Sequence, residues 1–201
     1  MASIIKVQDV QNSSGANIIN ESSNTITIGA SGDNIIIPSG ATITNNGTSV
    51  GLGGTNTPAF EAHLSGSDQN LLLNADTKIQ FNTEVFDTDS CYDNTTNYRF
   101  TPTVAGKYFV YVTFRITNTQ SSLQNLIGRL KKNGSVYKTL IQDDRNNYGY
   151  QASLTINAIV DMNGTTDYLE GFAQVGVQGG TISMKSTDKC NSFGAFKLIG
   201  V

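Results

Sequence analysis

The chain has 201 residues, a formal net charge of −3 and charged side chains at only 14% of its positions. This balance excludes a nucleic-acid-binding protein of the usual basic kind, and no apolar run approaches the roughly 18 to 20 residues that span a bilayer. One histidine and two cysteines are too few for most hydrolase triads and zinc sites. We therefore predict no catalytic residues, no metal, no cofactor, no nucleic-acid partner and no membrane insertion. Glycine, asparagine and threonine make up almost a third of the chain, which favours strands and turns over helices.

The aromatic residues divide the chain into two regions. All nine phenylalanines and eight tyrosines lie at or after Phe60. Because large aromatic side chains supply much of the buried area of an ordinary core, residues 1–59 cannot build a conventional core alone. The glycine-rich segment at 51–56 has the composition of a linker. We predict an attachment segment at 1–17, a stalk with its linker at 18–56, and a globular head at 57–201.

Short β-branched segments recur in the first region, separated by turn residues. The segments are 18–19, 25–28, 34–37 and 41–44. Each is too short to be stable as an isolated hairpin and buries its apolar face only by stacking on neighbours. We predict a thin β-stalk shared by three chains, and the alternative is a flexible polar linker. The isoleucines assigned to the shared core are Ile26, Ile28, Ile35 and Ile37.

The clearest strand of the second region runs from Lys107 to Ile116. Its apolar side chains alternate with a second face that begins with Phe109 and Tyr111. Two aromatic residues on a face opposite the core are typical of a subunit contact. Further alternating segments at 154–160 and 169–175, separated by Gly/Asn turns, indicate a β-sandwich or barrel.

One segment of the second region fits two patterns. Leu123, Leu126, Ile127 and Leu130 follow the spacing of an amphipathic helix. Asn133-Gly134, between two segments that read as strands, is instead a strong hairpin signal. The local pattern leaves the two nearly even, and we predict strands partly because of the resemblance described next.

The order of these segments resembles the C1q-like domain of the C1q and tumour necrosis factor superfamily. The most specific stretch is YRFTPTVAGKYFVY at 98–111, which is similar to the family's phenylalanine-threonine, proline, glycine and tyrosine signature. Other similar segments are the opening strand at 58–62, the early strands at 79–93, the hairpin at 130–134 and the closing strand at 193–196. Ala195, where the family commonly has glycine, and the acidic loop at 87–93 depart from the pattern. The resemblance covers essentially all of 57–201.

The resemblance implies an all-β chain with a C-terminal jelly-roll β-sandwich, preceded by the short-stranded stalk. It also implies a homotrimer with the first and last head strands near the threefold axis, so that Phe109 and Tyr111 face sister subunits.

The opening MASIIKV and the isoleucine-rich stalk resemble structural proteins of marine bacteriophages, in which a C1q-like head ends a tail fibre or other virion appendage. This implies a non-enzymatic virion protein assembled in the host cytoplasm. Its N-terminal segment would contact other virion proteins, and its head would adhere to a host-surface glycan or protein. A capsid decoration or cement protein is the alternative, and copy number per particle separates the two. A glycan-cleaving enzyme would need a carboxylate pair in a cleft, whereas the acidic residues here lie mainly in turns.

Three long polar loops are the predicted ligand-facing parts of the head, at 87–97, 142–150 and 178–189. Tyr148 and Tyr150 are the strongest candidates, because tyrosine offers a large contact area at a small entropy cost. The full set of predicted ligand-facing residues is Asp93, Asn94, Tyr148, Tyr150 and Asp188.

Two further groups of residues leave alternatives open. Asp87, Asp89 and Asp93 suggest calcium, but the segment lacks the glycine of a calcium loop, which favours a solvated turn. Cys91 and Cys190 are either bridged or free, and assembly inside a cell favours free thiols. His63 has no acid or nucleophile near it in sequence, so we predict a structural, hydrogen-bonded histidine.

Overall fold

The computed structural model of this chain describes residues 9–11, 17–22, 25–28, 31–42, 56–145 and 148–199. The chain divides into two compact units, residues 1–50 and 51–201. All regular structure within the described residues is β-strand, which confirms the predicted all-β class. No helix in the described part of the chain has the length and apolarity needed to cross a membrane.

The first unit contains a small antiparallel sheet. Its strands are β1 (Asp9–Gln11), β2 (Asn17–Ser22) and β3 (Thr25–Ile28). They follow one another across the sheet in chain order. The predicted strand segments at 18–19 and 25–28 lie within β2 and β3. Strand β1 was not predicted, and most of the attachment segment assigned to 1–17 lies outside the described residues.

The strand predicted at 34–37 is wrong, because residues 33–38 form no strand. Backbone hydrogen-bonding groups form a strand only opposite a ladder partner, and no described segment of this chain pairs with these residues. The turn that follows is as predicted: the Ala41 amide donates to the Pro38 carbonyl at 3.0 Å, and Gly40 has a φ of +84°. Ala41 and Thr42 form no strand, and 43–44 lie outside the described residues.

The second unit is a sandwich of two antiparallel sheets, here called sheet I and sheet II. Its strands are β4 (Ala59–His63), β5 (Gln69–Asn70), β6 (Thr77–Lys78), β7 (Thr83–Asp87), β8 (Tyr92–Asp93), β9 (Arg99–Phe100), β10 (Gly106–Asn118), β11 (Leu123–Lys132), β12 (Ser135–Asp143), β13 (Gln151–Met162), β14 (Leu169–Val177), β15 (Ile182–Met184) and β16 (Ser192–Lys197). Sheet I has the order β5-β15-β10-β16-β4-β7, with β13 also paired to β10. Sheet II has the order β12-β11-β14-β9-β8, with β6 also paired to β14.

The core lies between the two sheets. The alternation predicted for 107–116 is confirmed, since the inward side chains of β10 from Tyr108 to Ile116 are fully buried. An aromatic cluster closes the core beside them: the Phe60 ring stacks on Tyr92 and on Phe100, each with centroids 4.5 Å apart. The Phe193 ring meets Phe60 edge-on at 4.9 Å. Two facing sheets with this alternation are what a jelly-roll sandwich requires.

The ambiguous segment at 123–132 forms strand β11, and Asn133-Gly134 forms the hairpin turn to β12. Both turn residues have positive φ, 52° and 77°, as a type I′ turn requires. The helix-like spacing has a physical cause. The pairing of β11 with β14 shifts between Leu123 and Asn125, and such an irregularity moves the buried side chains from odd to even positions.

Residues 79–82, predicted as an early strand, form no strand. Their apolar side chains still belong to the core, since Ile79 and Phe81 are fully buried. The Ile79 amide donates to the Gly171 carbonyl at 3.0 Å, and the Tyr92 hydroxyl donates to the Phe81 carbonyl at 3.0 Å. These contacts hold the segment in place without a continuous ladder.

Candidate interaction surfaces

An apolar row crosses the outer face of sheet I. Phe109 on β10 pairs with Ile159 on β13 at one side and with Phe196 on β16 at the other. The rings of Phe109 and Phe196 lie 5.4 Å apart between centroids, and Ile159 is 56% exposed. We call Ile159, Phe109 and Phe196 the apolar row. It places large apolar side chains on the face turned away from the core.

Tyr111 lies in the next row of the same face. It pairs with Gly194, which in turn pairs with Glu61 on β4. The Tyr111 hydroxyl donates to Glu61 Oε2 at 2.6 Å. A Cβ on Gly194 would lie 2.4 Å from the Tyr111 ring, so the ring reaches Glu61 only because residue 194 is glycine. Burial, and then the Glu61 carboxylate, raise the pKa of Tyr111. The assignment of Phe109 and Tyr111 to a subunit contact stays a prediction.

His63 lies further along this face, on β4 opposite Ser192. It is 9% exposed, and its Nδ1 has no hydrogen-bond partner among the residues that the structure describes. The prediction of a fully hydrogen-bonded histidine is therefore wrong for this nitrogen. Burial, and then the positive charge of Lys189, lower the pKa of the imidazole. A neutral histidine is what this surrounding favours.

At the end of β10 that lies opposite the apolar row, the outer face of sheet I is polar and borders a cavity of about 320 Å³. The residues that line it are Arg115, Gln142, Gln151, Ala152 and Ser153. The Arg115 guanidinium donates to Gln151 Oε1 at 3.2 Å, and the Ser153 amide donates to Gln142 Oε1 at 3.2 Å. The residues predicted from the sequence include the 142–150 loop but neither Arg115 nor Gln151. The one available signal was an arginine on the second face of β10.

A buried asparagine holds the backbone beneath this cavity. Strand β10 pairs with β16 as far as Thr113 and with β15 from Ile116 onward. In the gap, the fully buried Asn191 accepts from the Arg115 amide at 2.5 Å and donates to the Arg115 carbonyl at 2.9 Å. Its amide also donates to the Lys185 carbonyl at 2.7 Å. The side chain of Asn191 thus takes the place of a ladder partner for the Arg115 amide, while the Arg115 carbonyl also accepts from the Lys185 amide at 3.2 Å. These bonds fix the backbone position from which Arg115 projects.

Two of the three predicted loops meet at one end of the sandwich. Tyr148, in the 142–150 loop, accepts a hydrogen bond at its hydroxyl from Gln178 at 2.7 Å. The Leu123 amide, at the start of β11, donates to the Gly149 carbonyl at 3.2 Å. Tyr150 is exposed beside this contact. The predicted loop at 178–189 contains the short strand β15, and the exposed Asp188 follows it with a φ of +58°.

Asp93 and Asn94 lie toward the other end of the sandwich. Asp93 on β8 pairs with Arg99 on β9. The guanidinium of Arg99 stacks over the Tyr168 ring, 4.7 Å from its centroid. Tyr168 is bonded to Asn133, in the turn after β11. The ten residues of β11 separate this turn from Leu123, which corresponds to about 30 Å of extended chain. The predicted ligand-facing residues therefore do not form one continuous surface.

The Asp93 carboxylate organises its own loop. It accepts hydrogen bonds from the backbone amides of residues 95, 96 and 97 at 3.1, 2.9 and 3.1 Å, and from the Asn97 side chain at 2.7 Å. These donors, first among them the Thr96 amide, hold the pKa of Asp93 well below its usual range. The Thr95 hydroxyl also donates to this carboxylate at 3.2 Å, and five donors on two oxygens explain why this turn has an aspartate.

The other residues with open alternatives have definite surroundings. Asp87 accepts from the Tyr92 amide at 2.8 Å, and Asp89 accepts from the Thr88 hydroxyl at 2.6 Å. No group of three or more His, Cys, Asp or Glu side chains suited to a metal occurs within the described ranges. Cys91 and Cys190 are free thiols, and burial raises the pKa of both.

No protein-family model matches the sequence, and no curated protein matches it. Among solved structures, the chain is similar to the globular domain of the zebrafish complement 1qA protein, with 18% identity and a TM-score of 0.50. The similarity covers 70% of this chain and 96% of that domain. At this identity it bears on the fold alone. The chain therefore contains a C1q-like jelly-roll sandwich.

Proposed function

We propose that this chain is a non-enzymatic, homotrimeric structural protein of a bacteriophage virion, and that its C1q-like head is presented on a tail fibre or surface appendage for adhesion to the host. The observation that carries the trimer is the apolar row on sheet I. Adjacent large apolar side chains on an outer sheet face are typical of a surface that a partner covers.

A second surface supplies the complementary half of the contact. Strand β12 is the edge of sheet II and is exposed along nearly its whole length, including Val136, Leu140 and Ile141. An apolar edge strand left in water invites uncontrolled pairing, so proteins usually cover it. Strand β12 and the apolar row are different surfaces of the same chain. When β12 of one chain packs on the apolar row of the next chain, the contact is therefore head-to-tail. Such contacts close into a ring when the rotation permits.

The first unit supports the same assembly. Ile26 and Ile28 on β3 are 68% and 55% exposed. A single three-stranded sheet has no second layer on which to bury them. Three chains that share these side chains would form the stalk. Slow proteolysis between Asn24 and Thr44 in the assembled protein is the expected result, and rapid cleavage there would contradict a stalk.

Sedimentation equilibrium tests the head contact. We expect the full chain to have the mass of a trimer and Phe109→Arg to have the mass of a monomer. Leu72→Arg is the matched control, because Leu72 is an exposed apolar residue in the loop between β5 and β6, away from the apolar row. Circular dichroism checks that each variant is folded. A folded wild-type monomer would overturn the proposal.

Adsorption of particles tests the adhesive role. Particles whose protein lacks residues 57–201 should lose adsorption to their host, while particles that carry the full chain retain it. Unchanged adsorption would contradict adhesion and favour a decoration protein on the capsid. Counting the copies on each particle then provides a second measurement, since a decoration protein covers the shell and a fibre does not.

A further inference from the structure

The cavity at the polar end of sheet I contains an arginine whose charge no carboxylate balances. The structure describes all four arginines of the chain. Arg129 and Arg145 form ion pairs with aspartates, and Arg99 stacks on Tyr168. The exposed side chain of Arg115 donates only to a neutral acceptor, Gln151 Oε1, and no ion pair to it occurs in the described part of the chain.

The other groups in the cavity are neutral and suit hydroxyl groups. Gln142, Gln151 and Ser153 each carry side-chain oxygen acceptors and hydrogen-bond donors, which is the chemistry that sugar hydroxyls pair with. Gln142 is held in place at both ends, since its Nε2 donates to Asp144 at 3.0 Å and its Oε1 accepts from the Ser153 amide. Asp144 also adds a negative charge nearby, which favours a singly charged carboxylate over a doubly charged group such as a phosphate at Arg115.

The geometry points to a binding site for a saccharide that carries one carboxylate per sugar, that is, a uronic-acid glycan. We propose that the carboxylate binds the planar guanidinium fork of Arg115 and that the ring hydroxyls bind Gln142, Gln151 and Ser153. The volume of about 320 Å³ is at the lower end of the roughly 300–1,000 Å³ of small-molecule sites. This proposal rests on the proposed adhesive function and names the ligand class of the head.

The cavity lies beyond the apolar row along β10, and one of its lining residues, Gln142, follows Ile141 on β12. Arg115 follows Phe109 by six residues on the same face of β10, a distance of about 20 Å along an extended strand. The apolar row is thus separate from the cavity. The buried Asn191 bonds both the backbone amide and the backbone carbonyl of Arg115, so the strand position from which the arginine side chain extends is fixed.

Calorimetric titration of the full chain with tetragalacturonate tests the site. We expect binding, and we expect the fully methyl-esterified tetrasaccharide, which keeps the hydroxyls and loses the charges, to bind at least about tenfold more weakly. Arg115→Gln should weaken tetragalacturonate binding by a similar factor. Arg115→Lys, which retains the charge and loses the fork, should fall between Arg115→Gln and the wild type.

Lys107→Gln is the matched control, because it removes an exposed cation from the other end of the same strand, where Lys107 pairs with Asp161 at 2.7 Å. It should bind like the wild type. No binding of tetragalacturonate, equal binding of acid and ester, or wild-type affinity in Arg115→Gln would each overturn the proposal. If one of these results is obtained but particles still need residues 57–201 to adsorb to the host, then the proposed binding site is wrong and the proposed adhesive function is retained.

Discussion

The two units of this chain treat their apolar side chains in opposite ways. In the second unit, sheets I and II face each other, and aromatic residues such as Phe81, Phe100 and Phe193 are fully buried between them. In the first unit, one small sheet leaves Ile26 and Ile28 exposed. The difference shows that β-propensity forms strands in both units, whereas a core needs a second layer. Within the described residues, the first unit thus leaves exposed the kind of apolar side chain that the second unit buries.

The largest expected effect breaks the self-sufficiency of the second unit. Phe60→Ala removes a ring that contacts Tyr92, Phe100 and Phe193, and it should lower the free energy of unfolding by about 3–5 kcal/mol. Phe86→Ala is the control, since Phe86 is 45% exposed in the same sheet. Urea unfolding followed by tyrosine fluorescence measures both. Equal losses for the two variants would contradict the core assignment.

A smaller loss is expected when a loop of the second unit loses its organising charge. Asp93→Asn weakens the hydrogen bonds from residues 95–97 and should cost about 1–2 kcal/mol at pH 7. Because the folded pKa of Asp93 lies below its unfolded value of 3.8, its stabilisation is present above pH 3.8 and is lost as the pH falls through the folded pKa. The difference between wild type and variant should therefore shrink in acid. Asp188→Asn, at an exposed loop position, is the control.

A smaller effect still is expected in the pH dependence of the free energy of unfolding, because His63 is buried on sheet I. The folded pKa of His63 is below the unfolded value of 6.5, so the unfolded chain takes up a proton first as the pH falls. Stability should decrease from pH 7 to pH 5.5, and His63→Gln should reduce this slope. His63 is the only histidine in the sequence, which makes thermal melts in this range specific. An unchanged slope in the variant would show that His63 titrates normally.

The smallest expected effect on the stability of the second unit comes from changes in the first unit. The double variant Ile26→Ser, Ile28→Ser should change the unfolding free energy of the second unit by less than about 0.5 kcal/mol, because these exposed residues lie in the first unit. In the assembled protein it should accelerate proteolysis between Asn24 and Thr44. A large loss of head stability would mean that the two units do not fold independently.

Much of the fold was predictable because its signals are local. The alternation at 107–116 depends only on the two-residue period of a strand, and Asn133-Gly134 depends only on the positive φ that a tight hairpin needs. The resemblance to C1q-like domains also follows from the order of short segments. Local signals misled where pairing matters: 34–37 has strand composition without a ladder partner, and the irregular pairing near Leu123 imitated a helical spacing.

The sequence by itself determined the β-rich class, the division marked by aromatic residues, and the outward position of Phe109 and Tyr111. Only the tertiary structure decided that Tyr111 bonds Glu61, that Asn191 replaces a strand partner beside Arg115, and that the predicted loops lie at different ends of the sandwich. The physical reason is sequence distance. Arg115 and Asn191 are 76 positions apart, and no local pattern records which distant segments a sheet brings together.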